Sequence, residues 1–121
     1  MFKVRPATGK DVADLHPMAP GISYRAKVAE LDGKVVGIIG MALTRPRACV
    51  FFSGTEELKP YLKSVQMLRE LKRFEAMFKA RGLPVYAIRE KDEPKAPAIL
   101  KRLGFKFVNE FDGDEIYEWR P

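Results

Sequence analysis

The stretch FFSGTEELKPYLKSV, Phe51 to Val65, carries the residue types most able to do chemistry in this chain. Two aromatics end an apolar run, and acids, lysines and a serine precede a long amphipathic segment. A strand turning into a helix is a natural anion site. The first helical N–H groups lack carbonyl partners, and the dipole is positive at that end. Lys59, Lys63 and Ser64 offer groups that suit phosphate. Glu56 and Glu57 oppose that use, because acids before a helix complement its positive end themselves. No glycine stands between Gly54 and Gly82 to let a ligand approach the backbone closely.

Other reactive residues are sparse. Cys49 is the single cysteine and lies in an apolar run, so it reads as a small core residue rather than a nucleophile. His16 is the single histidine. A structural zinc site needs about four Cys, His or acidic ligands, so no metal is expected. The EKDE run, with Glu90 and Asp92, reads as a solvated charged turn.

These residues sit in a chain of 121, which suits one domain, 1–121, with a core of its own. Apolar residues make up 46% and charged residues 31%, a globular balance. No apolar run approaches the roughly 18–20 residues of a membrane span. MFKVRPAT lacks the apolar centre of a signal peptide, and a lone cysteine suits a reducing compartment. A cytoplasmic location is therefore expected. The net charge of +6 is compatible with nucleic acid, an acidic protein or an anionic cofactor, and selects none of them.

The elements follow from pattern. FKVRPAT reads as a strand stopped by Pro6, and Thr8 or Gly9 opens a short helix ending near His16. Asp32-Gly33 predicts a tight hairpin between VAEL and KVVGIIG. ACVFFS is a short buried strand. A long helix is predicted from Lys59 to Arg81, with Pro60 in its first turn and Gly82 closing it. Its apolar face is predicted as Tyr61, Val65, Leu68, Leu71, Phe74 and Phe78, with Glu70 among the polar residues opposite. LPVYAIR is a strand, APAILKRL a short helix, and FKFVNEF with DEIYEWR a closing hairpin around Asp112-Gly113. The order β-α-β-β-β-α-β-α-β-β gives an α/β (α+β) fold. Its sheet is mixed and mostly antiparallel, with a central parallel β-α-β crossover and helices on both faces.

FKVRPATGKDV, VAELDGKVVGIIG and APAILKRLGFKFV, in that order, resemble the GNAT superfamily of N-acetyltransferases. The likeness spans nearly the whole chain by order of elements and about a third of it by motif. The single short helix before the second strand departs from the family, which usually has two there. More narrowly, the chain is similar to small GNAT-like proteins encoded by tailed bacteriophages, some of them virion components. That likeness implies virion association as the alternative location.

The resemblance implies acetyl-CoA as cofactor, lying where the fourth and fifth strands splay apart. Phe52 and Ser53 at the end of the fourth strand would pair with the pantetheine arm, and Lys63 and Ser64 would meet the pyrophosphate. The family's pyrophosphate loop, Q/R-x-x-G-x-G/A, falls by counting on Glu57, Pro60 and Leu62, each a departure. The tyrosine that often protonates the leaving thiolate falls on Leu100, and an asparagine seven residues earlier on Glu93. Glu90 and Asp92 are general-base candidates by position alone, and Tyr86 is a core or gap-lining residue.

Two readings follow. The residues favour a GNAT-fold binding or structural module with an eroded acetyl-CoA loop. The alternative is an active acetyl-CoA-dependent N-acetyltransferase with an atypical loop, since positioning and backbone donors supply much of such catalysis. Partners implied are an acyl-CoA or an acidic protein. Nucleic acid is not expected, because Glu70 and Glu75 interrupt the basic residues of the long helix. No membrane contact is expected.

Overall fold

The computed structural model describes residues 1–17, 20–44, 47–89 and 100–121. Among them, β1 (Phe2–Pro6), β2 (Tyr24–Leu31), β3 (Lys34–Ala42), β4 (Ala48–Gly54), β5 (Val85–Arg89), β6 (Lys106–Phe111) and β7 (Asp114–Trp119) form one sheet. Its order is β1-β2-β3-β4-β5-β7-β6. Every adjacent pair is antiparallel except β4 and β5, the strands joined by the central crossover. The mixed, mostly antiparallel sheet expected from the sequence is present. Asp32 and Gly33, at φ 52° and 83°, make the first predicted hairpin turn, and Asp112 and Gly113, at 52° and 86°, make the second. Positive φ at both central residues matches the twist of the flanking strands.

Helix α1 (Gly9–Leu15) follows β1 directly. Thr8 Oγ1 accepts from the Asp11 N–H at 3.2 Å, and the Asp11 carboxylate accepts from the Thr8 N–H at 2.8 Å. This reciprocal cap lets a helix of seven residues start cleanly. Arg5 on β1 also pairs with Asp11, at 2.8 Å, and with Glu30 on β2.

Helix α2 (Val65–Arg81) begins six residues later than the sequence predicts. A 3-10 turn over Glu56–Tyr61 holds Pro60, and Ser64 caps the helix by accepting from the Met67 N–H at 3.2 Å. Pro60 stands near the end of the 3-10 turn, and it would also have fitted the first turn of a helix starting at Lys59, so it did not discriminate. The buried face is also centred differently from the predicted one. Met67, Glu70, Leu71, Phe74 and Phe78 are buried, whereas Val65 and Leu68 are 67% and 42% exposed. Tyr61 leaves the helix and stacks on Phe2, with ring centroids 4.6 Å apart. At the other end Gly82 takes the left-handed cap, φ 66°.

The helices lie on opposite faces of the sheet. Val12 of α1 packs with Val28, Ile38 and Phe51. Leu71, Phe74 and Phe78 of α2 pack with Met41, Val50, Val85 and Trp119. Residues 100–102 are helical, and the rest of the helix predicted over 96–103 lies outside the described residues.

Candidate functional site

The strand pair at the centre of the sheet is incomplete. β4 and β5 match only at Ala48–Val85, Cys49–Tyr86 and Val50–Ala87. Beyond those positions each strand stays bound on its outer side. Phe51, Phe52, Ser53 and Gly54 pair with Gly40, Ile39, Ile38 and Gly37 of β3, while Ile88 and Arg89 pair with Ile116 and Glu115 of β7. Two strands held by opposite neighbours part as the sheet twists. The inner edge of β4 from Phe51 to Gly54 therefore has no ladder partner in β5 among the described residues, which leaves main-chain donors and acceptors along the opening between the two strands. Phe52 and Ser53 lie on this edge.

The segment leaving the gap is anchored from below. Leu58 of the 3-10 turn is 1% exposed and sits between Gly37 and Gly54. A Cβ at Gly37 would stand 2.7 Å from its Cδ2, and one at Gly54 2.8 Å. The GKVVG motif ends in glycine because this leucine occupies the space. Glu57 points away, to Lys34 Nζ at 2.8 Å. Its carboxylate is thus drawn off the helix start. No acid stands in the first turn of α2.

At the start of α2, the Leu68 N–H bonds to the Ser64 carbonyl at 3.0 Å and the Met67 N–H to Ser64 Oγ. The Val65 and Gln66 N–H groups have no carbonyl partner among the described residues. Ser64 Oγ accepts in the cap, which leaves its own hydroxyl proton to donate. Lys63 is exposed beside it, and Arg102 reaches across to the Leu62 carbonyl at 3.2 Å. Two cations, two N–H groups and a hydroxyl thus surround the positive end of the helix. Phe52 and Leu62 border the same apolar clusters, which places the open strand edge beside this helix start.

No protein-family profile and no curated protein matches the chain by sequence. Solved structures do match. The ribosomal-protein-S18-alanine N-acetyltransferase from Escherichia coli superposes with TM-score 0.63 at 16% identity, covering 98% of this chain and 92% of that one. A Bacillus subtilis acetyltransferase in complex with CoA gives 0.62 at 12% identity, covering 100% and 99%. An acetyltransferase of the GNAT family from Streptococcus pneumoniae gives 0.66 at 12%, covering 98% of each. The chain has the GNAT fold.

Within this GNAT fold the remaining candidates scatter. Leu100 is 5% exposed and packs in the core with Phe78 and Trp119, so no proton donor stands at that position. Glu90, Asp92 and Glu93 lie outside the described residues. Tyr86 does not line the gap. It sits in the paired part of the sheet, hydrogen-bonded to Glu118, with the Arg47 guanidinium 4.6 Å from its ring centroid. The Glu118 carboxylate beside it raises the phenol's pKa. Burial pushes the Cys49 thiol up, against the Ile88 N–H that donates toward it, so the thiolate is disfavoured. Among the described residues no group of three metal-ligating side chains forms, and no helix is long and apolar enough to cross a membrane.

The sequence reading weighed His16 only as a metal ligand. Its ring stacks on Phe51, with centroids 4.3 Å apart and planes 10° from parallel. Phe51 is the first β4 residue beyond the paired register, so the imidazole stands at the lip of the gap on the face opposite α2. The signal was weak, because nothing in LHPMAP indicates which strand that loop covers.

Proposed function

We propose that the chain is a GNAT-fold module that binds a CoA thioester, with the pantetheine arm along the open edge of β4 and the pyrophosphate at the start of α2. The observation that carries this reading is the end of the β4–β5 register at Val50–Ala87, with both strands held from outside. The start of α2 at Val65 supports it too. A pyrophosphate loop that opens the helix then ends at Ser64, so Lys59 takes the cation or amide position and Ser64 the final small position. Leu62 remains as the departure. With Leu100 in the core and no donor in its place, the module binds the thioester without efficient transfer.

The test is thermal unfolding with and without acetyl-CoA. A ligand at 100 times its Kd adds about 2.7 kcal/mol. Val65→Pro removes one free N–H at a position where proline is tolerated and the side chain is exposed. It is expected to keep the fold and abolish most of the shift. No shift with the natural chain would overturn the proposal.

A second reading, an active N-acyltransferase, is favoured by His16 at the lip of the gap. Thiol release from acetyl-CoA with an amine acceptor, reduced by His16→Gln while the thermal shift persists, would establish it.

A further inference from the structure

A second concave site lies on the α2 face, at the end of the sheet away from the gap. β2 and β4 run in the same direction, so the start of β2 and the end of β4 lie at opposite ends of the strands. There the end of β1, the start of β2 and one stripe of α2 enclose a groove of about 380 Å³. Its β2 wall carries Arg25 and Lys27, which alternate with the α1-facing Tyr24, Ala26 and Val28. Its α2 wall carries Glu70, Arg73 and Met77, and the chain leaving β1 adds Pro6 and Ala7.

Three cations therefore line one groove, and their acidic partners are few. Neither Arg25 nor Lys27 has one among the described residues. Arg73 has Glu70, whose Oε1 accepts from Arg73 Nη1 at 2.6 Å. Glu70 is buried, and its other oxygen is enclosed, out of a ligand's reach. The Arg73 side chain is 59% exposed. A guanidinium carries its donors in a rigid fork, so the bond to Glu70 orients the group and leaves most of its donors for another acceptor. Glu70 is thus a positioning residue for Arg73.

One carboxylate against three cations leaves an excess of two positive charges in the groove. A cleft lined by one sign of charge focuses its field and concentrates the opposite ion. The charge count selects among anions. A carboxylate brings one negative charge. A phosphate monoester brings about −1.5 to −2 at neutral pH, and its three acceptor oxygens suit three cationic side chains. The remaining wall is apolar. Met77 and Ala7 are half-buried and Pro6 is exposed, so a bare phosphate would leave this surface wet.

We propose that this groove binds a phosphate monoester carried on a small aromatic or apolar body. Arg25, Lys27 and Arg73 take the phosphate, Glu70 holds Arg73 in place, and the body lies on Met77, Ala7 and Pro6. The volume falls within the range of small-molecule pockets. The site is separate from the gap and does not depend on the thioester reading.

The test is calorimetric titration with phenyl phosphate. Beside it stand inorganic phosphate, which lacks the apolar body, benzoate, which carries one negative charge, and phenol, which lacks the anion. Saturable binding of phenyl phosphate is expected, with each comparator about tenfold or more weaker. Arg25→Ala and Lys27→Ala are each expected to weaken phenyl phosphate about tenfold. Lys72→Ala removes the same charge from an exposed position of α2 outside the groove, and is expected to leave binding unchanged. Glu70→Gln is expected to weaken binding although it makes the groove more positive, because Arg73 loses its anchor. Should that variant fail to fold, Arg25→Ala and Lys27→Ala still decide the phosphate site. Absence of phenyl phosphate binding, equal binding of inorganic phosphate or benzoate, or no loss in Arg25→Ala and Lys27→Ala would overturn the assignment. An equal loss in Lys72→Ala would overturn it as well, and tighter binding by Glu70→Gln would overturn the positioning role.

Discussion

The β1–α1–β2 corner and the β4–α2 junction are both places where a strand hands over to a helix, and they are built in opposite ways. At the corner, the polar groups answer one another. Arg5 holds Asp11 and Glu30, Asp11 closes the cap of Thr8, and β1 is paired along its length with β2. At the junction β4 runs four residues past its last contact with β5, and the helix start keeps unpaired N–H groups. Side chains satisfied internally hold a fold. Main-chain groups left open at the centre of a sheet are what a ligand can use. The proposed site rests on this contrast rather than on any single residue type.

The comparison breaks most sharply if the open centre is held by something other than α2. With a three-residue β4–β5 register, the two halves of the sheet are joined largely through the α2 core. Phe78 is fully buried and touches Phe105 and Trp119, with ring centroids 5.6 Å away in each case. Phe78→Ala is expected to cost about 3–5 kcal/mol in denaturant unfolding. A loss near zero would mean the halves are joined elsewhere.

The closed corner is sharpened by acid. Arg5 holds the Asp11 carboxyl below the ordinary carboxylate range, with help from the Thr8 N–H, and lowers Glu30 as well. A folded pKa below the unfolded value stabilises above the unfolded pKa, and that contribution is lost as pH falls through the folded one. Stability is therefore expected to decline below about pH 4, where unfolded carboxylates take up protons. Arg5→Leu removes the cation that Asp11 and Glu30 share and leaves Glu30 only Lys3, at 3.8 Å. It is expected to destabilise at neutral pH and to flatten or reverse the acid decline. Unchanged pH dependence in the variant would show that the cluster is not what closes the corner.

The smallest effect tests the rotated helix face. Leu68 is 42% exposed, so Leu68→Gln is expected to change stability by no more than about 0.5 kcal/mol. A loss of core size would restore the face that periodicity suggested. Leu71, Phe74 and Phe78 were legible in the sequence, because a stripe at three and four survives any choice of helix start. Val65, Leu68 and Glu70 were misassigned, because periodicity does not say which flank of that stripe packs on the sheet. Pro60 and the neighbouring acids suit a 3-10 turn as well as an α-helix.

By itself, the sequence determined what depends on neighbours in the chain. The Asp-Gly pairs required left-handed backbone and so set both hairpins. Thr8 and Asp11 lie within one turn of each other and made a cap, and Gly82 ended α2. The order of these elements was enough for the GNAT fold. The tertiary structure decided what depends on residues far apart. The length of the β4–β5 register rests on β3 and β7 holding the two strands from outside. The stacking of His16 on Phe51 joins positions 35 residues apart, and the burial of Glu70 follows from a rotation that only packing against β1 and β2 reveals. Local propensity carries no information about such distances, because the free energy that fixes them comes from surfaces meeting after the chain has turned back on itself.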